Sequence, residues 1–266
     1  MGKYFGTDGV RGIANVELDC SMAYRIGQAA AGVLSEAAGG KAVFYVGKDT
    51  RVSSDMLEAA LISGITSAGA DAVLLGVAPT PAVAALVKDG ADAGFMISAS
   101  HNPFEYNGIK LFSGEGYKLP DEAEERIERL IDTGVPHKTG GGIGRVRHAE
   151  DRLASYEESL LSAVTGEVSG LSVLVDCANG AACATAPALF RRIPFKQCDF
   201  LSVSPDGMNI NHKCGSTDPA ALGRAVREGG YDIGAAFDGD ADRCLFVDEK
   251  GQPLHGDVML ALLAAE

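Results

Sequence analysis

Three aspartates at alternate positions give the strongest chemical signal in the sequence. Asp238, Asp240 and Asp242 directly follow a short apolar run and precede Arg243. Carboxylates spaced in this way can converge on one hard cation in a turned loop. A few carboxylates with open coordination positions suit magnesium, which often shares its shell with a phosphate oxygen. Oxygen-only ligands also favour magnesium over zinc, so we predict a magnesium site in this loop.

Two other interpretations of the acidic loop stay open. An EF-hand is disfavoured because Arg243 stands where that loop needs glycine, and because the flanking segments read as strands rather than helices. A solvated acidic turn would leave three repelling carboxylates at a strand end without a purpose.

A second group of polar residues, Ser98-Ala99-Ser100-His101-Asn102-Pro103, follows the apolar run 93–97. It would lie at the carboxyl end of a strand, where open α/β sheets bind ligands. His101 and Asn102 can donate hydrogen bonds to an oxyanion or a phosphate. No Gly-x-Ser-x-Gly elbow surrounds the serine, which weakens a hydrolase interpretation. An ordinary polar loop is the alternative.

The segment Phe5-Gly6-Thr7-Asp8-Gly9-Val10-Arg11-Gly12 combines three glycines with an arginine. The glycines let backbone amides approach a ligand closely. Arg11 supplies a planar, permanently charged fork for phosphate. The segment lacks the Gly-Lys-Ser/Thr ending of a P-loop, which argues against a nucleoside triphosphatase. A glycine-rich turn without function is the alternative.

Two further segments supply cations: Asn107-Gly108-Ile109-Lys110 lies shortly after the serine loop, and a second segment follows the predicted strand 42–46. Lys110 is a candidate proton carrier if nearby cations lower its pKa, and otherwise an exposed lysine. The segment Gly47-Lys48-Asp49-Thr50-Arg51 suits a phosphate, but an ion pair within the loop explains it equally well.

The elements that must position these residues alternate between strands and helices. Strands are predicted at 42–46, 72–75, 93–97, 108–112, 172–176, 195–203, 233–237 and 244–247. Helices are predicted at 22–37, 53–68, 81–87, 121–131, 151–164, 181–190 and 219–227, with Ser21 capping the first. Short apolar strands alternating with helices imply mainly parallel sheets covered on both faces. We therefore predict an α/β protein with two consecutive three-layer α/β/α domains and mixed, mainly parallel sheets.

The predicted domain boundaries follow a glycine-rich stretch at 133–144. Such a stretch is typical of a linker or a long loop. We assign the first domain to 1–150 and the second to 151–253. The apolar helical pattern at 258–265 has no closing cap, so residues 254–266 are expected to begin a further domain.

Bulk composition excludes several classes of protein. The 266 residues carry a formal net charge of -13, which argues against nucleic-acid binding and means that an anionic substrate would need local cations or a metal. The longest apolar stretch near the end is far below the roughly 20 residues of a membrane span, and the N-terminus has no signal-peptide core. The six cysteines form no Cys-x-x-Cys pair and are expected to be small buried thiols in a reducing cytosol. We expect a cytoplasmic protein with no membrane partner.

Taken together, the motifs resemble the α-D-phosphohexomutase superfamily, and within it the bacterial phosphoglucosamine mutases. The resemblance rests on the segments 5–12, 47–51, 97–103, 107–110, 176–180, 205–211, 214–217 and 238–243. Ile97-Ser-Ala-Ser-His-Asn-Pro103 looks like the glucosamine branch, because phosphomannomutase and phosphoglucomutase relatives usually carry a shorter Thr-x-Ser-His-Asn-Pro form.

The resemblance implies a role for each candidate residue. Ser100 would be the phosphorylated serine. Asp238, Asp240 and Asp242 would hold Mg²⁺ together with a phosphoserine oxygen on Ser100. Arg11 and Lys110 would assist proton transfer beside the moving phosphoryl group, with His101 and Arg243 as neighbours. The substrate phosphate would be bound by Thr7, Arg11, His101, Lys110 and Arg243.

The implied reaction interconverts glucosamine 6-phosphate and glucosamine 1-phosphate through a phosphoserine enzyme and a bisphosphosugar intermediate, in the supply of cell-wall precursors. The superfamily usually has four domains. We therefore expect a fragment with little or no turnover, without the domains that bind the sugar and the distal phosphate. A homodimer is compatible with the resemblance. A phosphomannomutase or phosphoglucomutase, and a non-catalytic phosphosugar-binding module, are the alternatives.

Overall fold

The computed structural model of the protein describes residues 2–6, 8–36 and 39–264, and within these ranges the chain forms two α/β units. The strands are β1 (Val10–Ile13), β2 (Val43–Lys48), β3 (Asp71–Val77), β4 (Ala93–Ile97), β5 (Tyr106–Ser113), β6 (Val146–His148), β7 (Ser172–Asp176), β8 (Gln197–Leu201), β9 (Ile233–Phe237) and β10 (Cys244–Val247). The helices are α1 (Cys20–Leu34), α2 (Val52–Ser67), α3 (Thr80–Lys88), α4 (Asp121–Thr133), α5 (Leu153–Ser162), α6 (Ala186–Arg192), α7 (Ala220–Gly229) and α8 (Gly256–Ala264).

The N-terminal unit is built on a six-stranded sheet with the order β1-β5-β4-β2-β3-β6. Strands β4, β2, β3 and β6 run parallel, whereas β5 and β1 are antiparallel to their neighbours. One face packs against α1, α2 and α4, and the other packs against α3 and α5. The carboxyl ends of the parallel strands therefore share one edge of this sheet.

Small residues allow α1 and α2 to pack closely. A side chain at Gly27 would collide with the carbonyl oxygen of Leu61, and one at Gly64 would collide with that of Tyr24. The alanine-rich face of α1 is fully buried in the same layer. The alanine and glycine content of α1 is thus a packing requirement, since larger residues would separate the two helices.

The C-terminal unit is built on a four-stranded sheet with the order β10-β9-β7-β8. Strands β9, β7 and β8 are parallel, and β10 is antiparallel to β9. Helix α6 packs on one face and α7 on the other. The predicted fold class, two three-layer units with mixed and mainly parallel sheets, is confirmed.

Several boundaries differ from the predicted ones. Helix α1 begins at Cys20, and its cap is Asp19 rather than Ser21, since Asp19 Oδ1 accepts a hydrogen bond of 2.7 Å from Met22 N. The predicted helix 181–190 is divided at Thr185 into a 3-10 turn and α6. The Asp19 carboxylate, two residues before the predicted cap, satisfies one of the free amides of the first turn.

The glycine-rich stretch 133–144, predicted as a linker or a long loop, contains one 3-10 turn at Gly140–Gly142 after the end of α4. It leads into β6, which was not predicted and which adds a parallel edge strand to the first sheet through pairing of Ala72 with Val146. Helix α5, expected to belong to the second block, packs Leu153 and Tyr156 on the apolar cluster of the first sheet. It also contacts α6 and so connects the two units.

The prediction that the cysteines are buried thiols is confirmed only in part. Cys177 and Cys214 are buried, Cys183 and Cys198 are partly buried, and Cys20 and Cys244 are exposed, so the prediction is wrong for the last two. No helix in the described part of the chain is both long and apolar enough to cross a membrane.

Candidate active site

The site forms where a loop of each unit meets the other. Ser100 lies in the loop after β4, and Asp238 begins the loop after β9. The Ser100 hydroxyl donates a hydrogen bond of 2.6 Å to Asp238 Oδ2, and both residues are fully buried. These residues are 138 positions apart in the chain, so the contact exists only because the two units are docked.

The three aspartates converge. One carboxylate oxygen from each of them lies within 4.8 Å of the other two. Burial, and then the charge of Asp240, raise the pKa of Asp238 to about 6. Asp240 Oδ1 is buried and has no hydrogen-bond partner within the described residues. A buried carboxylate oxygen without a donor is costly, and an all-oxygen donor set of this kind fits a divalent ion such as Mg²⁺.

Lys110, on β5, lies within the acidic cluster. Its Nζ donates to Asp240 Oδ2 at 2.6 Å and to Asp242 Oδ2 at 3.1 Å. Burial alone would lower the pKa of Lys110, but the two carboxylates outweigh it and raise that pKa. Burial likewise opposes ionisation of Asp240, and the charge of Lys110 outweighs it, so the pKa of Asp240 is lowered. The role of proton carrier was predicted on the condition that nearby cations lower the pKa of Lys110, whereas the charged groups that contact its Nζ are carboxylates, which raise that pKa.

Three further candidate residues, His101, Arg11 and Arg243, lie close enough together for their charges to interact. His101 Nδ1 lies 3.5 Å from Ser100 Oγ, and burial together with the charges of Arg243 and Arg11 lowers its pKa. Arg11 Nε is buried and lacks a partner in the part of the chain that the structure describes. The Arg243 side chain is 57% exposed, while its backbone N–H donates to Asp238 Oδ1 at 3.2 Å. Thr7 lies outside the described residues.

The serine loop is held by a network behind it. Ser100 has a left-handed backbone, with φ of 54°, which costs a non-glycine residue about 1–2 kcal/mol. Its N–H donates to Ser98 Oγ at 2.9 Å, and the Ser98 hydroxyl donates to Asp49 Oδ2 at 2.6 Å. Ser98 is therefore a support for the loop, whereas Ser100 presents its hydroxyl to the aspartates.

Arg51 completes this network. Its guanidinium pairs with Asp49 at 2.9 Å, with both side chains fully buried. It also donates to the carbonyl oxygens of Ser100, Asn102 and Pro103. Lys48 pairs with Asp55 and Glu58. Of the two interpretations of the segment 47–51, the structure supports ion pairs rather than a free phosphate site.

Two residues at the site were not singled out individually from the sequence. Thr80 donates its hydroxyl to Asp240 Oδ2 at 2.6 Å, across 160 positions of the chain. Asn211 Nδ2 donates to the carbonyl oxygen of Ser100 at 2.9 Å. Asn211 belongs to one of the motifs of the resemblance, but Thr80 carries no signal beyond its position between two prolines.

Comparisons with known proteins find similar sequences and a similar fold. A family model for phosphoglucomutase/phosphomannomutase α/β/α domain I matches residues 2–137, and the model for domain II matches 154–251. The phosphoglucosamine mutase of Moorella thermoacetica is 50% identical over 99% of the chain, and that of Clostridium beijerinckii is 52% identical over 99%. A phosphoglucomutase/phosphomannomutase family protein of Burkholderia thailandensis has a similar structure, with a TM-score of 0.84 and 28% identity over 98% of the chain.

The chain spans only part of each of these proteins. It covers 60% of the Moorella relative, 59% of the Clostridium relative and 58% of the Burkholderia structure.

Proposed function

Because this chain belongs to the phosphoglucomutase/phosphomannomutase family, we propose that it carries the phosphoserine and magnesium half of a phosphoglucosamine mutase. The observation that carries the proposal is the 2.6 Å hydrogen bond from Ser100 Oγ to Asp238, inside a cluster of three carboxylates. A serine that only stabilised a loop would not need two further carboxylates beside it.

Charge explains why the serine and the aspartates belong together. A phosphate on Ser100 would bring about -1.5 to -2 charges next to three carboxylates, which is strongly repulsive without a cation. Asp238, Asp240, Asp242 and an oxygen of the Ser100 phosphate would hold one Mg²⁺. That ion would neutralise charge on the phosphoryl oxygens during transfer.

The transfer itself needs proton movement and positive charge. The bond from phosphorus to Ser100 Oγ breaks, and a bond forms from phosphorus to a hydroxyl oxygen of the sugar phosphate. The hydroxyl proton leaves the sugar, and Ser100 Oγ gains one. We place His101 beside this proton path because its Nδ1 is 3.5 Å from Ser100 Oγ. Arg11 and Lys110 supply positive charge near the same oxygens.

Binding of the sugar phosphate is assigned to Arg243 and Arg11. The half-exposed guanidinium of Arg243 is available to a phosphate, and Arg11 Nε is a buried donor without a partner among the described residues. Thr7 is included among the proposed phosphate-binding residues only because it belongs to the motif at 5–12.

Glucosamine is proposed as the sugar because relatives about half identical to the chain are named phosphoglucosamine mutase. The shared region covers 60% of the Moorella relative, so we expect little turnover from the 266-residue chain alone. Joining the chain to the C-terminal part of the Moorella relative should give interconversion of glucosamine 6-phosphate and glucosamine 1-phosphate. Faster conversion of mannose or glucose phosphates would support the phosphomannomutase or phosphoglucomutase alternative.

The first experiment tests whether Ser100 becomes phosphorylated. The chain is incubated with Mg²⁺ and glucosamine 1,6-bisphosphate, and the phosphorylated position is found by fragment-ion mass spectrometry. We expect one phosphate on Ser100, none in Ser100→Ala, and wild-type loading in Ser63→Ala, whose hydroxyl donates only within α2. Phosphate on Ser98 instead would show that Ser98, and not Ser100, is the phosphorylated serine. Binding of the sugar phosphate without transfer would favour a non-catalytic binding module.

A further inference from the structure

Thr80 links the N-terminal unit to one metal-ligand candidate of the C-terminal unit. It is the first residue of α3 and is 8% exposed. Its Oγ1 donates to Asp240 Oδ2 at 2.6 Å, and its backbone N–H donates to the Asp240 carbonyl oxygen at 2.9 Å. One residue thus binds both the side chain and the main chain of Asp240.

These contacts give the two carboxylate oxygens of Asp240 different surroundings. Oδ2 accepts from both Thr80 Oγ1 and Lys110 Nζ, each at 2.6 Å. Oδ1 is buried and accepts no hydrogen bond from any described residue. A carboxylate is planar, so two donors on one oxygen also fix the direction of the other oxygen.

The two donors on Oδ2 differ in how well they can orient it. Lys110 reaches Asp240 on a flexible four-carbon stem and also binds Asp242. Thr80 has a β-branched side chain with a restricted χ1 angle, and its backbone is restricted by the following residue, Pro81. The threonine is therefore the rigid donor of the pair.

Thr80 does not use its hydroxyl on its own helix. Threonine at a helix start often caps the free amides of the first turn. Helix α3 has no side-chain cap, and the Thr80 hydroxyl crosses to the other unit instead. Helix stability therefore does not account for its presence.

We propose that Thr80 is a positioning residue for the metal ligand Asp240: it holds Oδ2 so that Oδ1 stays available to the divalent cation. The proposal rests on the magnesium site of the proposed function. Groups that orient a metal ligand typically affect metal affinity by about 10–100-fold when they are removed.

The test measures metal binding directly rather than turnover. Thr80→Val keeps the shape of the side chain and removes the hydroxyl, whereas Thr80→Ser keeps the hydroxyl. Thr66→Val is the matched control, because its hydroxyl donates to Ile62 O within α2 and lies outside the site. Mn²⁺ binding to the 266-residue chain is followed by electron paramagnetic resonance, with Mg²⁺ as competitor.

We expect Thr80→Val to bind Mn²⁺ about tenfold more weakly or worse, with near wild-type binding by Thr80→Ser and Thr66→Val. If the wild-type chain binds no Mn²⁺, the proposed metal site fails. If the wild-type chain binds it and Thr80→Val binds it equally well, only the role of Thr80 is overturned.

Thermal stability with and without Mn²⁺ distinguishes a positioning role of Thr80 from a merely structural one. Melting temperatures of Thr80→Val are measured with and without saturating Mn²⁺, and Thr80→Ala replaces it if the valine variant does not fold. Positioning predicts that the variant loses most of the stabilisation that Mn²⁺ gives to the wild type. An equal fall in both melting temperatures, with metal stabilisation intact, would overturn the proposal.

Discussion

The loop that carries Ser100 and the loop that carries Asp240 both follow short buried strands, β4 and β9, but their supports come from different places. The serine loop is fixed mainly from within its own unit, by Asp49, Arg51 and Ser98. The side-chain donors to Asp240 come from the other unit, through Thr80 and Lys110. The serine loop is therefore largely preformed within its own unit, whereas the side-chain contacts of Asp240 depend on docking of the two units.

The largest expected effect comes from breaking the internal support. Arg51→Ala would leave Asp49 as an uncompensated buried charge and remove donors from three carbonyl oxygens of the serine loop. We expect a loss of about 3–5 kcal/mol in the free energy of unfolding, measured with urea. Arg227→Ala, on the exposed end of α7, is the control. Equal urea midpoints for the two variants would show that the buried pair does not hold the loop.

A smaller effect is expected where the two loops touch. A Cβ at Gly239 would lie 2.5 Å from Ser100 O and 2.9 Å from Ile210 Cδ1. Gly239→Ala should force the loops apart, cost about 1–3 kcal/mol and slow phosphoryl loading of Ser100. Gly256→Ala is the control, since a Cβ there meets nothing within 4 Å. Wild-type loading by Gly239→Ala would contradict the need for this close approach.

Asn211 sharpens the comparison because it is the support that the serine loop receives from the other unit. Its φ of 58° is left-handed, so Asn211→Gly removes the amide without backbone strain. Asn15→Gly matches it, being exposed with φ of 61°. We subtract the loss of unfolding free energy in Asn15→Gly from the loss in Asn211→Gly. The remaining loss, caused by the missing hydrogen bond to Ser100, should be about 1 kcal/mol. If the two variants lose the same free energy of unfolding in urea, the hydrogen bond from Asn211 does not stabilise the serine loop.

The smallest effect concerns the segment that leads to Arg11. The backbone N–H groups of residues 3–5 donate to the Glu128 carboxylate at 2.6–2.9 Å. Burial opposes this charge, but the three hydrogen bonds outweigh it and lower the pKa of Glu128 from its usual 4.5. The carboxylate therefore stabilises the fold above its usual pKa, and that stability is lost as the pH falls through the lowered value.

Glu128→Gln should accordingly flatten the fall in melting temperature between neutral and acidic pH. Glu125→Gln, an exposed neighbour on α4, should keep the wild-type profile. If the melting temperatures of wild type and Glu128→Gln fall equally with pH, the hydrogen bonds from residues 3–5 to Glu128 do not stabilise the N-terminal unit.

The sequence predicted the fold well wherever an apolar run alone determines a strand. The bounds of β4, β7, β9 and β10 agree with their predictions. Each contains a short apolar run that a polar residue ends, at Ser98, Asp176, Asp238 and Asp248 respectively. Strand β6 was missed because all three of its residues are exposed, so it carries no apolar signal. Its existence depends on pairing with β3, which no local pattern reveals.

The candidate site was predictable in its reactive residues and not in its supports. Ser100 and the three aspartates stand in recognisable motifs at strand ends. Thr80 reaches its partner across 160 positions and Asn211 across 111, so only the docking of the two units discloses their contacts. Lys110 shows the same limit, because the sign of its pKa shift depends on which charges the fold brings to it.

The distance in sequence between Ser100 and Asp238 has a consequence for synthesis of the protein. A ribosome completes β4 and the serine loop well before it reaches the aspartates, which lie 138 positions further on. N-terminal units generally fold first during translation, so the serine loop can be in place while its acceptor does not yet exist. The nascent chain would thus display an assembled but inert hydroxyl, and competence for phosphoryl chemistry would arrive only once the second unit has emerged and docked.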